Sequence, residues 1–199
     1  MKTKALIELP SGFPGMQALE AGAVYLMGCR SFDQYCCTVR SLADPDRFCP
    51  FCPHEFERRG RRPLICVDDW MLIENEFPHK NVAKMLLVVP REHVTRLRLS
   101  PVDWADLGLL IEKSGIEDGG VMLRFGDPRL NVGTVEHLHF NIIEPICGKE
   151  YRAPFAKELA EHEQDYARTI GFQTELIRRG GLDWLFSEEG IAETQPKIA

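Results

Sequence analysis

Thr134-Val135-Glu136-His137-Leu138-His139-Phe140-Asn141-Ile142-Ile143 reads as a strand, because polar and apolar side chains alternate along it. Successive side chains of a strand point to opposite faces. His137, His139 and Asn141 therefore share one face, and Leu138, Phe140 and Ile142 take the other. The second set is apolar enough to be buried. The first lines up two imidazoles and an amide, an arrangement suited to metal binding or phosphoryl chemistry and ill suited to a core. A lone histidine would read as a satisfied core residue; this set does not.

Other elements assemble around that strand. Leu64-Ile65-Cys66-Val67 and Trp70-Met71-Leu72-Ile73 predict two short strands with a turn at Asp68-Asp69. Met85-Leu86-Leu87-Val88-Val89, closed by Pro90, is the continuous apolar run of a central strand. Ser100-Pro101-Val102-Asp103 predicts a helix start, with Ser as N-cap, Pro at the first position and Asp closing the box. Trp104, Leu107, Leu110 and Ile111 are its expected buried stripe and Gly119-Gly120 its expected end. Val121 to Phe125 predicts another strand, and Gly126-Asp127-Pro128 a turn toward the histidine strand.

Residues 1–47 carry small residues, Gly and Cys without clean periodicity, apart from a candidate strand at Gly22 to Met27. The last quarter is helical in pattern. Pro154 stands near a start, and Phe155, Leu159, His162, Tyr166 and Ile170 recur at helical spacing. Arg178-Arg179-Gly180-Gly181 predicts a stop, and Leu182, Trp184, Leu185 and Phe186 an apolar patch that packs back. The expected class is α+β: a central antiparallel sheet with a flanking helix in residues 48–147, an N-terminal extension over 1–47 and a C-terminal helical extension over 148–199.

Whole-chain quantities narrow the function. A chain of 199 residues with 44% hydrophobic content has enough material for a sizeable core. A formal charge of −6 disfavours a general nucleic-acid or anionic-membrane binder. No stretch is long and apolar enough to span a bilayer and no leader pattern opens the chain, so a soluble, cytoplasmic protein is expected. Seven cysteines, an odd number, do not read as a secreted disulfide framework.

Two of those cysteines stand apart. Cys49-Pro50-Phe51-Cys52 is a CxxC whose thiolates can reach one tetrahedral ion. A redox pair normally opens a helix in a thioredoxin-like unit, whereas Pro50 and Pro53 suggest a turn. Zinc needs two further ligands, and His54, His79, His93 and His137 are the candidates. Cys29, Cys36, Cys37, Cys66 and Cys147 read as buried or free thiols. The basic run Arg58-Arg59-Gly60-Arg61-Arg62 reads first as a solvated surface, and second as a loop that swings over a polyanionic leaving group.

Four segments, in order, resemble the histidine triad (HIT) superfamily. They are Cys49-Pro50-Phe51-Cys52, Glu74-Asn75-Glu76-Phe77-Pro78, Leu86 to His93 with its PxxH ending, and Thr134 to His139. The match covers about residues 49 to 146 and is closer to the zinc-containing branch and the galactose-1-phosphate uridylyltransferase-like members than to the shortest ones. The resemblance implies a HIT-like fold, with structural zinc on Cys49, Cys52, His93 and His137. Such a Cys₂His₂ set leaves no position for water. It implies His139 as a nucleophile that attacks an α-phosphorus and forms a nucleotidyl-histidine, its other nitrogen donating to the backbone carbonyl of His137. It implies ribose contacts at Asn75, with Phe77 beside it, and a phosphate-binding turn at Gly133 and Thr134. The implied substrate is a dinucleoside polyphosphate or a nucleotide sugar, and the implied assembly a homodimer.

The sequence departs from the family at three places. Asn141 stands at the third triad position, and an amide bonds a phosphate but is no general acid at neutral pH. That favours transfer or phosphorolysis over fast hydrolysis. Asp127 to Gly133 keeps one glycine of the usual run, leaving Arg124 or Arg129 as alternative phosphate contacts, and Lys84-Met85 replaces the usual Gly-His pair. Two rival functions follow: a non-catalytic nucleotide-binding or sensing protein of the same fold, and an RNA-interaction module, which the acidic balance opposes.

Overall fold

The computed structural model describes residues 29–124, 135, 137–151 and 159–195. These form two compact units, one drawn chiefly from residues 29–50 and 159–195, the other from 51–124 and 137–151. The candidate strand at 22–27, the turn at 126–128, the segment around Pro154 and Phe155, and the pair Gly133 and Thr134 lie outside the described residues.

The unit that carries the histidines is an α+β sheet structure. Its strands are β1 (Ile65–Val67), β2 (Trp70–Glu74), β3 (Val82–Pro90), β4 (Gly120–Arg124) and β5 (His139–Pro145). They lie in the order β1-β2-β3-β5-β4, with every pair antiparallel. The apolar run that predicts a central strand is β3, and six consecutive residues of it, Met85 to Pro90, are buried. The two-residue turn between β1 and β2 places Asp68 at a φ of 42°, a left-handed conformation that Asp tolerates better than most residues.

Each face of this sheet has its own core. Leu138, Phe140 and Ile142 join Leu86, Val88, Trp70 and Leu72 against Leu107 and Leu110 of a helix, Pro101–Lys113. The predicted capping box at its start is present, with Ser100 and Asp103 bonded reciprocally. Asp103 also accepts from Trp70 Nε1 at 3.0 Å, which ties the helix start to β2. Two expectations for this helix are corrected. Trp104 is 52% exposed, with its ring edge-on to Phe140 at 6.1 Å. The helix ends at Lys113, before a left-handed Gly115, and Gly120 opens β4 instead of closing the helix.

The opposite face carries Met71, Ile73, Leu87 and Val89 under Phe56 and Phe51. Phe56 lies on a short helix, Pro53–Arg58. Six residues are too few for a helix to hold itself in water. Here its apolar residue is buried, and Glu55, 1% exposed, is clamped by arginines.

The second unit is helical. Among the described residues the helices are, in chain order, α1 (Phe32–Ala43), α2 (Pro45–Phe48), α3 (Pro53–Arg58), α4 (Pro101–Lys113), α5 (Leu159–Arg178), α6 (Gly181–Phe186) and α7 (Glu188–Glu193). Helix α1 corrects the expectation of no clean periodicity in residues 1–47: Phe32, Tyr35, Cys36, Val39, Leu42 and Ala43 recur at helical spacing after the N-cap Ser31, and the polar residues between them are buried too. Its Tyr35, Cys36, Val39 and Leu42 pack with Leu176 and Leu185. The predicted stop holds: α5 ends at Arg178 and Gly180 takes a φ of 113°. The apolar patch packs back, with Leu185 fully buried and Phe186 edge-on to Phe48. Arg40, 3% exposed, donates to the carbonyls of Leu185 at 3.2 Å and Gly190 at 3.4 Å. Burial pushes the Cys36 thiol up to about 12, which makes it an inert core group. No helix among the described residues is long and apolar enough to cross a membrane.

Candidate functional site

The site is built where β5 begins. The chain reaches His139 along Leu138, whose N–H donates to Val94 O at 2.6 Å. His137 precedes the strand, is fully buried, and presents its two ring nitrogens to different partners. Nε2 lies 2.9 Å from Pro90 O. A carbonyl only accepts, so Nε2 carries the proton and the in-plane lone pair is on Nδ1. That nitrogen faces Cys52 Sγ at 3.5 Å. His93 Nδ1 reaches the same sulfur at 3.4 Å.

These distances are those of a ligand shell. A sulfur about 2.3 Å and a nitrogen about 2.0 Å from a tetrahedral zinc ion stand about 3.5 Å apart. The ligand atoms of Cys52, His93 and His137 all lie within 4.8 Å of one another. The donor set fits zinc: a thiolate and two imidazoles, one of them oriented by a backbone carbonyl behind it. Cys49 is fully buried at the end of α2, three residues before Cys52 in the chain. His54 and His79, which spacing left open, stand outside the cluster. The CxxC does not end in a plain turn: Cys52 is the N-cap of α3, whose first residue is Pro53.

His139 is the first residue of β5 and is half-buried. Its Nδ1 lies 2.8 Å from His137 O. By the same argument Nδ1 holds the proton of the neutral ring and Nε2 the lone pair. Phe51, inside the CxxC, sets its ring edge against His139 at 5.1 Å and against His137 at 6.0 Å. This contact was not foreseen; its signal was an aromatic between two candidate ligands. Asn141 shares the face of His139 and is 4% exposed, its Nδ2 3.5 Å from Met122 O.

The other expected residues fall elsewhere. Asn75 lies just past β2, and its Oδ1 accepts from Phe77 N–H at 2.8 Å, closing an Asx turn. The structure thus brings Asn75 and Phe77 together, but its register sets them at the level of Ile143 and not of His139: Asn75 N–H donates to Met85 O, and Met85 pairs with Ile143. Gly133 and Thr134 are outside the described residues.

Neither reading of the basic run fits its middle. Arg59 bonds Glu55 at 2.8 Å and Glu76 at 2.8 Å with its side chain 6% exposed, and Arg61 pairs with Glu76 while its guanidinium lies 4.7 Å over Phe56. Burial alone would raise the Glu55 carboxyl, but bonds from Arg58 and Arg59 outweigh it and hold the group below its ordinary value. These arginines clamp α3.

No family model and no curated protein matches the chain. Solved structures it is similar to include a HIT-like protein involved in cell-cycle regulation from Bartonella henselae, at 16% identity over 62% of this chain and 96% of that one, TM-score 0.39. A zinc-bound histidine triad family protein from Mycobacterium smegmatis is 15% identical over 64% of this chain and 96% of that one, TM-score 0.37. Plasmodium falciparum diadenosine triphosphate hydrolase is 17% identical over 65% of this chain and 84% of that one, TM-score 0.39. The α+β assignment rests on this chain's own strand order and register, not on those likenesses.

Proposed function

We propose that the chain is a histidine triad-type enzyme that transfers or cleaves nucleotides at an α-phosphate through a covalent intermediate on His139. The observation that carries this reading is the 2.8 Å contact between His139 Nδ1 and His137 O. It fixes the tautomer a nucleophilic imidazole needs, with the reacting lone pair on Nε2. In the first step Nε2 forms a bond to the α-phosphorus and the bond to the leaving phosphate or sugar phosphate breaks. In the second an acceptor oxygen from water, phosphate or a sugar phosphate attacks the same phosphorus and the P–N bond breaks, restoring the ring.

Asn141 bonds a phosphoryl oxygen in this scheme and supplies no proton. A phosphate leaving group needs none, because it is stable as an anion near neutral pH. Gly133, Thr134, Asn75 and Phe77 hold the nucleotide, a dinucleoside polyphosphate or a nucleotide sugar. Cys49 joins Cys52, His93 and His137 as the fourth ligand of a structural zinc ion, which fastens the CxxC to the start of β5. A cytoplasmic homodimer goes with this reading; light scattering reads the dimer directly.

One observation favours a second reading, a nucleotide-binding protein without turnover: the Asn141 amide is buried and leans toward Met122 O. Intact-mass measurement separates the two. Wild type and His139→Ala are mixed with diadenosine triphosphate and with UDP-glucose, and read at neutral to alkaline pH, where phosphoramidates survive. A nucleoside-monophosphate mass gain in wild type alone supports the enzyme. No adduct and no product, with nucleotide still bound, replaces it with the binding protein.

A further inference from the structure

A cavity of about 550 Å³ opens between α3 and the β1–β2 edge of the sheet. Pro53 and Pro63, both half-buried, form its apolar wall, while Arg61, Arg62 and Arg91 line it against a single carboxylate, Glu57. Arg61 is already fixed by Glu76 and by Glu74 O. Arg62 and Arg91 are exposed and have no ion pair among the described residues. The cavity's own lining sets the guanidiniums of Arg61, Arg62 and Arg91 against the carboxylate of Glu57, a surplus of two positive charges among the lining residues. In a chain of net charge −6, such a local surplus at a concave site is what an anion would neutralise.

We infer that this cavity binds an organic phosphate monoester, with its dianionic head between Arg62 and Arg91 and its apolar body on Pro53 and Pro63. Two surplus charges match a dianion and exceed what one carboxylate supplies. The planar fork of a guanidinium fits phosphoryl oxygens in pairs. The volume lies in the range of small-molecule sites, roughly 300–1,000 Å³, and a bare phosphate would leave most of it empty. Nothing in this inference uses His139, so it stands or falls apart from the proposed reaction.

Cys66 supplies a local reporter, because it lines the cavity and is exposed, whereas Cys147 is exposed elsewhere. The full chain is alkylated with iodoacetamide in the presence of 1-naphthyl phosphate, and both cysteines are followed by peptide mass spectrometry. Saturable slowing at Cys66 with Cys147 unchanged is the expected result. Arg62→Gln and Arg91→Gln each weaken that protection roughly tenfold, and His139→Asn leaves it as in wild type. Inorganic phosphate or 1-naphthoate protecting Cys66 as well as the ester overturns the ligand class. Absence of protection in wild type, its retention in both arginine variants, or its loss in His139→Asn overturns the site.

Discussion

Replacing Glu55 by Gln tests whether the arginine clamp or the metal cluster positions α3. The carboxylate is 1% exposed and takes bonds from Arg58 at 2.6 and 2.7 Å and from Arg59 at 2.8 Å. Arg58 is 38% exposed, so its share is that of a surface pair, about 0.3–0.5 kcal/mol. Arg59 is 6% exposed, and breaking a buried pair costs about 3–5 kcal/mol when the remaining charge is stranded. Arg59 keeps Glu76, so the loss is smaller. The expected destabilisation of the sheet unit is about 2–3 kcal/mol at pH 7. Urea unfolding in a Trp184→Phe background reads that unit through Trp70 and Trp104. The sign with pH follows from the depressed carboxyl: its contribution is present above the ordinary value of 4.5 and disappears as pH falls through the lower folded value. Wild type and variant should therefore converge in acid. A difference under about 0.5 kcal/mol at pH 7 would refute the clamp, since that is the scatter of neutral surface substitutions.

Three further outcomes follow from the geometry. Cys52→Ser should lower bound zinc from about one equivalent per chain, measured by elemental analysis after dialysis, because a hydroxyl is a poor zinc ligand beside two imidazoles; unchanged content would remove Cys52 from the site. A Cβ on Gly119 would stand 2.5 Å from Ile143 O, so Gly119→Ala should push β4 off β5 and cost roughly 1–3 kcal/mol, seen as faster amide exchange in Gly120 and Met122, whose N–H groups face β5. Arg40→Leu should destabilise the helical unit by about 1–3 kcal/mol per orphaned carbonyl at Leu185 and Gly190, read as a lower urea midpoint of Trp184 fluorescence.

Much of the sheet was legible because its cause is local. Alternation around Phe140 and Ile142, the apolar run ending at Pro90 and the cap at Ser100 each state a backbone preference within a few residues. The share of the site that sequence reached has the same origin: His137 and His139 stand two residues apart where β5 begins. What sequence missed depends on distant partners. Trp104 sits at a helical stripe position, yet Leu107 and Leu110 fill the contact with β5 and leave the indole half in water. Helix α1 was local and legible, with Ser31 as cap and an apolar stripe from Phe32 to Ala43, and only the burial of its polar residues depends on distant partners. Arg59 and Arg61 look like surface until Glu76, fifteen residues or more away, arrives beside them.

His137 touches two parts of the site with two different atoms. Its ring lies against Cys52, and its own carbonyl receives the proton of His139. One residue thus serves both as an anchor and as the rest on which the reacting ring leans, and a rotation that pulls the anchor free tilts the rest. Chelation and a His137 substitution would then fail in the same way, each leaving His139 chemically intact but wrongly aimed. A His93 variant should fail likewise, because it weakens the same anchor while leaving the His137 side chain in place.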